Sequence, residues 1–212
     1  MTRRVSVVIP TLDGGPLFLR VIAAVLDQRA EPFEVIVVDS GSRDGTLEAL
    51  ASLPVRVLKV PRAAFDHGLT RNFGIGMAEG EIVALLVQDA LPASERWLAG
   101  LVAALDSEPR AAGAYSRQIP RPEHPAFVRV PFEAYAASSP ERRVQELSHE
   151  SWEAMAPAER LRAATFDDVA SAVRKSAWRD HPSPRRASAR TSSGRAASCS
   201  RATASSMRLP PR

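Results

Sequence analysis

Short apolar runs alternate with longer segments of helical periodicity along the first half of the chain. The runs are rich in valine, isoleucine and leucine and predict strands. The segments between them repeat their apolar positions every three or four residues and predict helices. The predicted strands span 5–10, 35–39, 55–60, 81–87 and 111–116, and the predicted helices span 16–28, 45–52, 70–79 and 95–106. This alternation is typical of the α/β class, with a mainly parallel sheet flanked by helices.

Two helix starts can be predicted from single residues, whereas the second half of the chain is harder to interpret. Asp44 and Ser94 are candidate N-caps of the second and fourth helices. Prolines interrupt every regular pattern within 117–140. Residues 141–163 look largely helical and charged, and a further strand and helix are expected within 164–178.

The positive charge of the chain is concentrated at its C-terminal end. The whole sequence has 28 basic and 24 acidic residues, but residues 181–212 contain seven arginines and no acidic residue. Residues 1–180 therefore have 21 basic against 24 acidic side chains, so no nucleic-acid partner is expected for them. Residues 1–180 are expected to form one domain. The Ser-, Ala- and Arg-rich segment 181–212 is expected to be a disordered tail, because it has no apolar periodicity and cannot bury enough surface to order itself.

Polar side chains follow three of the predicted strands at their carboxyl ends. Thr11 comes after the first strand, Asp39 closes the second, and Gln88 and Asp89 follow the fourth. Ligands of open α/β sheets bind beyond these strand ends, and a carboxylate there suits a hard divalent cation that carries a phosphate. The sequence therefore predicts a phosphate-bearing ligand at this edge, with Asp89 as the metal ligand. Thr11 and Asp39 can also be turn residues, and Asp89 can also cap a helix.

Two basic side chains lie four residues apart before the fourth strand. One helical turn brings His67 and Arg71 toward the same side, and a planar guanidinium pairs well with phosphate oxygens. A structural histidine and a solvated arginine are the alternatives. Asp44 is expected to cap its helix, and from that position it can also face a bound nucleotide.

In combination, these motifs resemble the nucleotide-sugar-binding half of family 2 glycosyltransferases. The resemblance covers residues 3–180 and is carried by VSVVIPT at 5–11, VIVVDSGSRDGT at 35–46, FDHGLTRN at 65–72 and LLVQDALP at 85–92. The Gln-Asp-Ala form is most similar to the rhamnosyltransferase branch. The resemblance implies a GT-A, Rossmann-like fold and an inverting enzyme of cell-wall or polysaccharide biosynthesis. Such an enzyme moves a sugar such as rhamnose from a nucleoside diphosphate donor to a saccharide or lipid-linked acceptor.

The resemblance also assigns roles to the candidate residues. Asp89 would hold a Mg²⁺ or Mn²⁺ ion. The nucleotide-sugar site would comprise Thr11, Asp39, Asp44, His67, Arg71 and Gln88. The chain departs from the family pattern at four positions, where a glycine, a threonine or carboxylate, and two asparagines are usual: Leu69, Val87, Asp168 and Ala170.

The base that would deprotonate the acceptor hydroxyl is not assigned, because no carboxylate follows Asp180. Read in a shifted frame, residues 187–194 permit a sequence that resembles the E-D-x-E-W segment carrying this base in the family. The GT-A-type domain is therefore expected to be incomplete at its C-terminus, by truncation or a frame shift, and the chain is expected to transfer little or no sugar. A genuine basic tail is the alternative.

Two other function classes remain as alternatives. One is a non-catalytic remnant that still binds a nucleotide sugar. The other is a sugar-1-phosphate nucleotidyltransferase, which is disfavoured because residues 10–15 read PTLDGG instead of the Gly-rich G-x-G-x-R loop of those enzymes. No apolar run approaches the roughly 20 residues that span a bilayer. We therefore expect a cytoplasmic protein, with peripheral membrane association allowed by a lipid-linked acceptor.

Overall fold

A six-stranded sheet forms the centre of the computed structural model, which describes residues 5–30, 33–133, 136–163 and 166–183. The spatial order is β3-β2-β1-β4-β6-β5, and of these only β6 runs against its neighbours. The strands are β1 (Val5–Thr11), β2 (Phe33–Asp39), β3 (Arg56–Lys59), β4 (Ile82–Leu86), β5 (Gly113–Tyr115) and β6 (Ala170–Arg174). The predicted α/β class with a mainly parallel sheet is confirmed.

Helices cover both faces of this sheet. They are α1 (Gly15–Leu26), α2 (Thr46–Leu50), α3 (His67–Met77), α4 (Trp97–Asp106), α5 (Ala126–Glu133), α6 (His149–Ala154), α7 (Pro157–Ala163) and α8 (Lys175–Asp180). Alternate residues of the central strands point to opposite faces, so Val7 packs with α1, α2 and α4, while Val8 packs with α3 and α8. Burial on both faces explains the continuous apolar runs of β1, β2 and β4. No described helix is long and apolar enough to cross a membrane.

Three helix starts differ from the prediction. The prediction that Asp44 is the N-cap of the second helix is wrong: α2 begins at Thr46, and its N-cap is Gly45, whose φ of 89° suits glycine. Helix α3 begins at His67, three residues before the predicted start, because the Asp66 carboxylate accepts hydrogen bonds from the backbone N–H groups of Gly68 and Leu69, both at 2.9 Å. The prediction that Ser94 caps the fourth helix is wrong. Helix α4 begins at Trp97, and its N-cap position is occupied by Arg96.

The segment between β5 and β6 differs most from the prediction. Residues 141–163, expected to be largely helical, form two short helices, α6 and α7, and the residues before His149 are not helical; Pro157 starts the second helix. Proline fits the first turn of a helix but disfavours helical geometry in the residue before it, which separates the two helices. Helix α5 forms within the proline-rich segment and was not predicted. Most of the predicted tail, residues 184–212, lies outside the described residues.

Candidate functional site

The carboxyl ends of β1, β2 and β4 meet at one edge of the sheet. Thr11 and Asp39 are paired in register as the last residues of β1 and β2. β4 pairs with β1 in parallel on the other side, so Gln88 and Asp89 follow at the same edge. The fold therefore brings together the four polar residues that the sequence places after its strands.

The Asp39 carboxylate is buried and organises the loop that follows its strand. It accepts hydrogen bonds from the backbone N–H groups of Gly41 at 2.9 Å and Ser42 at 3.1 Å, and from the Ser42 hydroxyl. Gly41 has a φ of 90°, a value that glycine adopts without strain. The turn-forming role of Asp39 is thus present in the structure, and its role toward a nucleotide stays a prediction.

Gln88 joins the end of β4 to the end of β1. Its side-chain carbonyl Oε1 accepts hydrogen bonds from the Thr11 hydroxyl at 2.9 Å and from the Leu12 backbone N–H at 2.8 Å. Both Thr11 and Gln88 therefore hold the loop next to Asp89 in place. Their direct contact with a ribose or phosphate stays a prediction.

A second loop cluster lies where α1 and α2 begin. Asp44 accepts hydrogen bonds from the backbone N–H groups of Gly15 at 2.9 Å and Thr46 at 3.1 Å. A hydrogen bond from the Thr46 side chain, together with these backbone bonds, lowers the pKa of Asp44 below its ordinary value. Asp13, which was not singled out from the sequence, accepts from the Arg43 backbone at 2.8 Å and from the Arg62 guanidinium at 2.9 Å. Both carboxylates close the loops beside the strand ends.

The first two turns of α3 carry the two predicted basic residues. Arg71 is only 7% exposed, and its guanidinium donates to the His67 backbone carbonyl at 3.2 Å. It also pairs with the Asp168 carboxylate at 3.2 Å, while its Nε has no hydrogen-bond partner among the described residues. The exposed His67 ring instead contacts Phe65 edge to face, with 4.8 Å between the ring centroids. The two residues are therefore adjacent, but only Arg71 is held by charged groups.

Asp89 is exposed at the end of this edge and is the predicted cation ligand. No group of three or more His, Cys, Asp or Glu side chains within the described part of the chain could hold a metal by itself. A single carboxylate nevertheless fits Mg²⁺ or Mn²⁺ when substrate phosphates and water supply the remaining oxygen ligands. The site thus suits a cation that arrives with a diphosphate.

Comparison with known proteins identifies the family. Residues 6–169 match the model of glycosyl transferase family 2, and this match covers well over half of the chain. The chain belongs to this family. The GT-A fold implied by the sequence resemblance is confirmed by solved structures of glycosyltransferases.

Among relatives in the family, the O-antigen chain rhamnosyltransferase RfbN of Salmonella typhimurium is 31% identical over 119 residues, which are 55% of this chain and 38% of that protein. The mannosyltransferase PcManGT of Pyrobaculum calidifontis, in complex with GDP-Man and Mn²⁺, matches with a TM-score of 0.59 and 23% identity. That match covers 87% of this chain and 48% of the other. S. aureus TarS 1–349 matches with a TM-score of 0.57 and 19% identity, over 84% and 48% of the two chains. The chain spans less than half the length of these relatives.

Two residues that shape the site were not assigned these roles from the sequence, because each role depends on the folded structure. Asp66 caps α3, and Asp168 meets Arg71 although the sequence indicates only that it replaces a usual asparagine. Residues 187–194, which in a shifted frame permit a sequence that resembles the base-carrying segment of the family, lie outside the described residues.

Proposed function

We propose that this chain is the donor-binding part of a glycosyltransferase. It binds a nucleoside diphosphate sugar, with rhamnose as the first sugar to test, for transfer to a saccharide or lipid-linked acceptor. The observation that carries the proposal is the meeting of Thr11, Asp39 and Asp89 at one sheet edge. Residues 1–180 form the functional domain in this proposal, and residues 181–212 are a tail without a part in binding.

The diphosphate is assigned to the space between α3 and Asp89. Arg71 is 7% exposed and lies in the second turn of the eleven-residue helix α3, where its guanidinium pairs with the partly exposed Asp168 carboxylate. A guanidinium favours a phosphate, because its planar N–H groups pair with phosphate oxygens. His67 lies next to Arg71 at the exposed helix start and contributes at the rim.

The nucleoside is assigned to the loops that follow β1 and β2. Asp39 accepts from its own loop, and a carboxylate oxygen has room for more than one donor, so a base N–H or ribose hydroxyl can be added. Asp44 is assigned to the same nucleoside site, because it accepts a hydrogen bond from the Gly15 backbone N–H at 2.9 Å and so joins the loops after β1 and β2.

A divalent cation would be held by Asp89 together with the diphosphate. When bound, it neutralises the charge that develops on the departing nucleoside diphosphate. The presence of GDP-Man and Mn²⁺ in PcManGT supports this assignment at the level of the fold, and the 31% identity to RfbN supports rhamnose as the donor sugar.

A second candidate is a nucleotide-sugar-binding remnant without transferase activity. The observation that favours it is the composition of residues 181–212, which contain no carboxylate and so offer no candidate for the acceptor base. Saturable donor binding without turnover distinguishes this candidate from an active transferase.

Calorimetric titration tests the proposal directly. The purified chain is titrated with UDP, GDP, dTDP and their sugars, with Mg²⁺, with Mn²⁺ and with EDTA. We expect binding that the cation strengthens about tenfold or more, and we expect Asp89→Asn to remove that gain without weakening cation-free binding.

Asp27→Asn is the matched control. Asp27 is exposed at the C-terminal end of α1, and its substitution removes one negative charge just as Asp89→Asn does. Two outcomes would contradict the assignment of Asp89 as cation ligand. One is a nucleotide affinity that does not change with the cation, and the other is an equal loss of affinity in Asp27→Asn and Asp89→Asn. No binding by any nucleotide would refute the proposed function.

A further inference from the structure

Four consecutive backbone N–H groups in the loop after β1 are bound by side chains from other segments. Each donates to a side chain that follows β2 or β4, at 2.8–3.2 Å: Leu12 to Gln88, Asp13 to Ser42, Gly14 to Thr46 and Gly15 to Asp44. Backbone N–H groups need such partners wherever the chain is not in regular structure. This loop therefore takes its shape largely from side chains of neighbouring segments.

Asp13 is the residue of this loop that also binds back to its neighbours. Its carboxylate accepts a hydrogen bond from the Arg43 backbone N–H at 2.8 Å and another from the Arg62 guanidinium at 2.9 Å. Arg43 follows β2 and Arg62 follows β3, so one side chain joins the segments after three adjacent strands. An exposed ion pair such as that with Arg62 contributes little, because a long side chain must be ordered to form it. The bond to the Arg43 backbone is therefore expected to hold the loop more firmly.

The backbone of Asp13 has an uncommon conformation. Its φ is 48°, and it is the one residue other than glycine that has a positive φ in the described part of the chain. Aspartate and asparagine enter this region more readily than other side chains do. Bonds on both sides of the residue hold it there, from its N–H to Ser42 and from Arg43 to its carboxylate. Uncommon backbone conformations that contacts hold in place are frequent at functional sites.

Ser42 links Asp13 to the buried Asp39 carboxylate. The Ser42 hydroxyl accepts from the Asp13 backbone N–H at 2.9 Å and donates to one oxygen of Asp39. The Ser42 backbone N–H donates to the other oxygen of Asp39 at 3.1 Å. One serine thus holds both oxygens of Asp39, and Asp13 helps to fix the position of that serine.

We propose that Asp13 is a positioning residue of the nucleoside site. It does not touch the ligand; it orders the loops after β1 and β2 before the nucleoside binds and, through Ser42, orients the Asp39 carboxylate. The inference rests on the proposed function, because Asp39 is assigned there to the nucleoside. A loop that is already ordered loses less conformational entropy on binding. Loosening Asp13 therefore weakens nucleotide binding although no contact with the nucleotide is removed.

Asp13→Gly is the main test, because it removes the carboxylate while glycine adopts the positive φ without strain. The titration with nucleoside diphosphates is repeated on this variant with and without Mg²⁺. We expect binding roughly three- to tenfold weaker, as for one or two lost hydrogen bonds. The factor by which Mg²⁺ strengthens binding should stay that of the wild type, since Asp89 is unchanged. Urea denaturation of each variant ensures that folded proteins are compared.

Two further variants separate the role of Asp13 from general damage. Asp13→Asn keeps the backbone preference and an acceptor oxygen for the Arg43 N–H, so it should recover most of the affinity lost in Asp13→Gly. Ser42→Ala breaks the link to Asp39 from the other side and should weaken binding by a similar factor. In the double variant Asp13→Gly/Ser42→Ala the loss should be smaller than the product of the two single losses, because both act on one link.

Amide hydrogen exchange tests the same link without a ligand. The Ser42 N–H donates to Asp39 and not to Asp13, so its exchange reports whether Asp13 acts through Ser42. We expect its exchange to be about threefold faster or more in Asp13→Gly. The Leu98 N–H, which starts α4 and donates to the Gln28 side chain, is the internal reference and should exchange at the wild-type rate.

Three results would overturn the positioning role of Asp13. They are wild-type nucleotide affinity in Asp13→Gly, a loss of affinity that Asp13→Asn does not recover or that abolishes the effect of Mg²⁺, and unchanged exchange at Ser42. Nucleotide binding by the wild type together with any of these results refutes only the role of Asp13. If the wild type binds no nucleotide, the proposed function is refuted, and the Ser42 exchange rate still decides whether Asp13 orders the loop.

Discussion

The exchange Gly74→Ala tests how closely α3 lies on the sheet, and hence how Arg71 is placed. A Cβ at residue 74 would lie 2.4 Å from Val8 Cγ1 and 3.0 Å from Val38 Cγ2. Both valines are buried in the central strands, and β-branched side chains have few alternative rotamers. The helix must therefore move outward or a valine must leave its rotamer.

Two opposing effects set the change in the free energy of unfolding of Gly74→Ala. Overpacking of this kind costs typically about 1–3 kcal/mol, and the short distance to Val8 places this case at the upper end. Alanine returns up to about 1 kcal/mol through its higher helix propensity. We expect a net loss of about 1–2 kcal/mol in the free energy of unfolding, measured by urea denaturation at equal m-value. Donor binding should weaken as well, because Arg71 moves with the helix.

Gly76→Ala is the matched control in the same helix. Its Cβ would meet only Trp178, at an ordinary 3.8 Å, so the propensity gain is unopposed and stability should rise by up to about 1 kcal/mol. In the double variant Gly74→Ala/Val8→Ala the clash is relieved, so its destabilisation should be smaller than the sum of the two single ones. If Gly74→Ala is as stable as Gly76→Ala, the close approach of α3 to β1 is refuted.

Two further predictions concern the charged groups of the site. Asp168→Asn removes the half-exposed carboxylate that pairs with Arg71. Nucleoside diphosphate should therefore bind about three- to tenfold tighter in low salt, and the gain should shrink in 0.5 M salt. Unchanged or weaker binding, measured by calorimetry, would contradict this role of Asp168. The lowered pKa of Asp44, caused chiefly by its hydrogen bond to the Thr46 side chain, means that the folded state favours the charged carboxylate. This contribution to stability is present above the ordinary pKa near 3.8 and is lost as the pH falls through the lower folded value. Asp44→Asn should therefore flatten the pH dependence of urea unfolding below about pH 4, and parallel curves for the two proteins would count against it.

Local patterns in the sequence were sufficient for much of the fold. Continuous apolar runs and period-3.6 repeats are both recognised from residues that lie close together in the sequence, so β1, α1, β2 and β4 were predicted within two residues at each end. The helices between β5 and β6 were not predicted with these bounds, because they are short, have little apolar periodicity and depend on prolines and tertiary contacts.

The sequence by itself determined which polar residues stand at the strand ends, since strand length and polarity decide where Thr11, Asp39 and Asp89 fall. Only the tertiary structure decided what their neighbours are. Gln88 meets Thr11 across 77 residues of chain, and Arg71 meets Asp168 because β6 inserts between β4 and β5. Such contacts arise from strand order and helix packing, which no local spacing encodes.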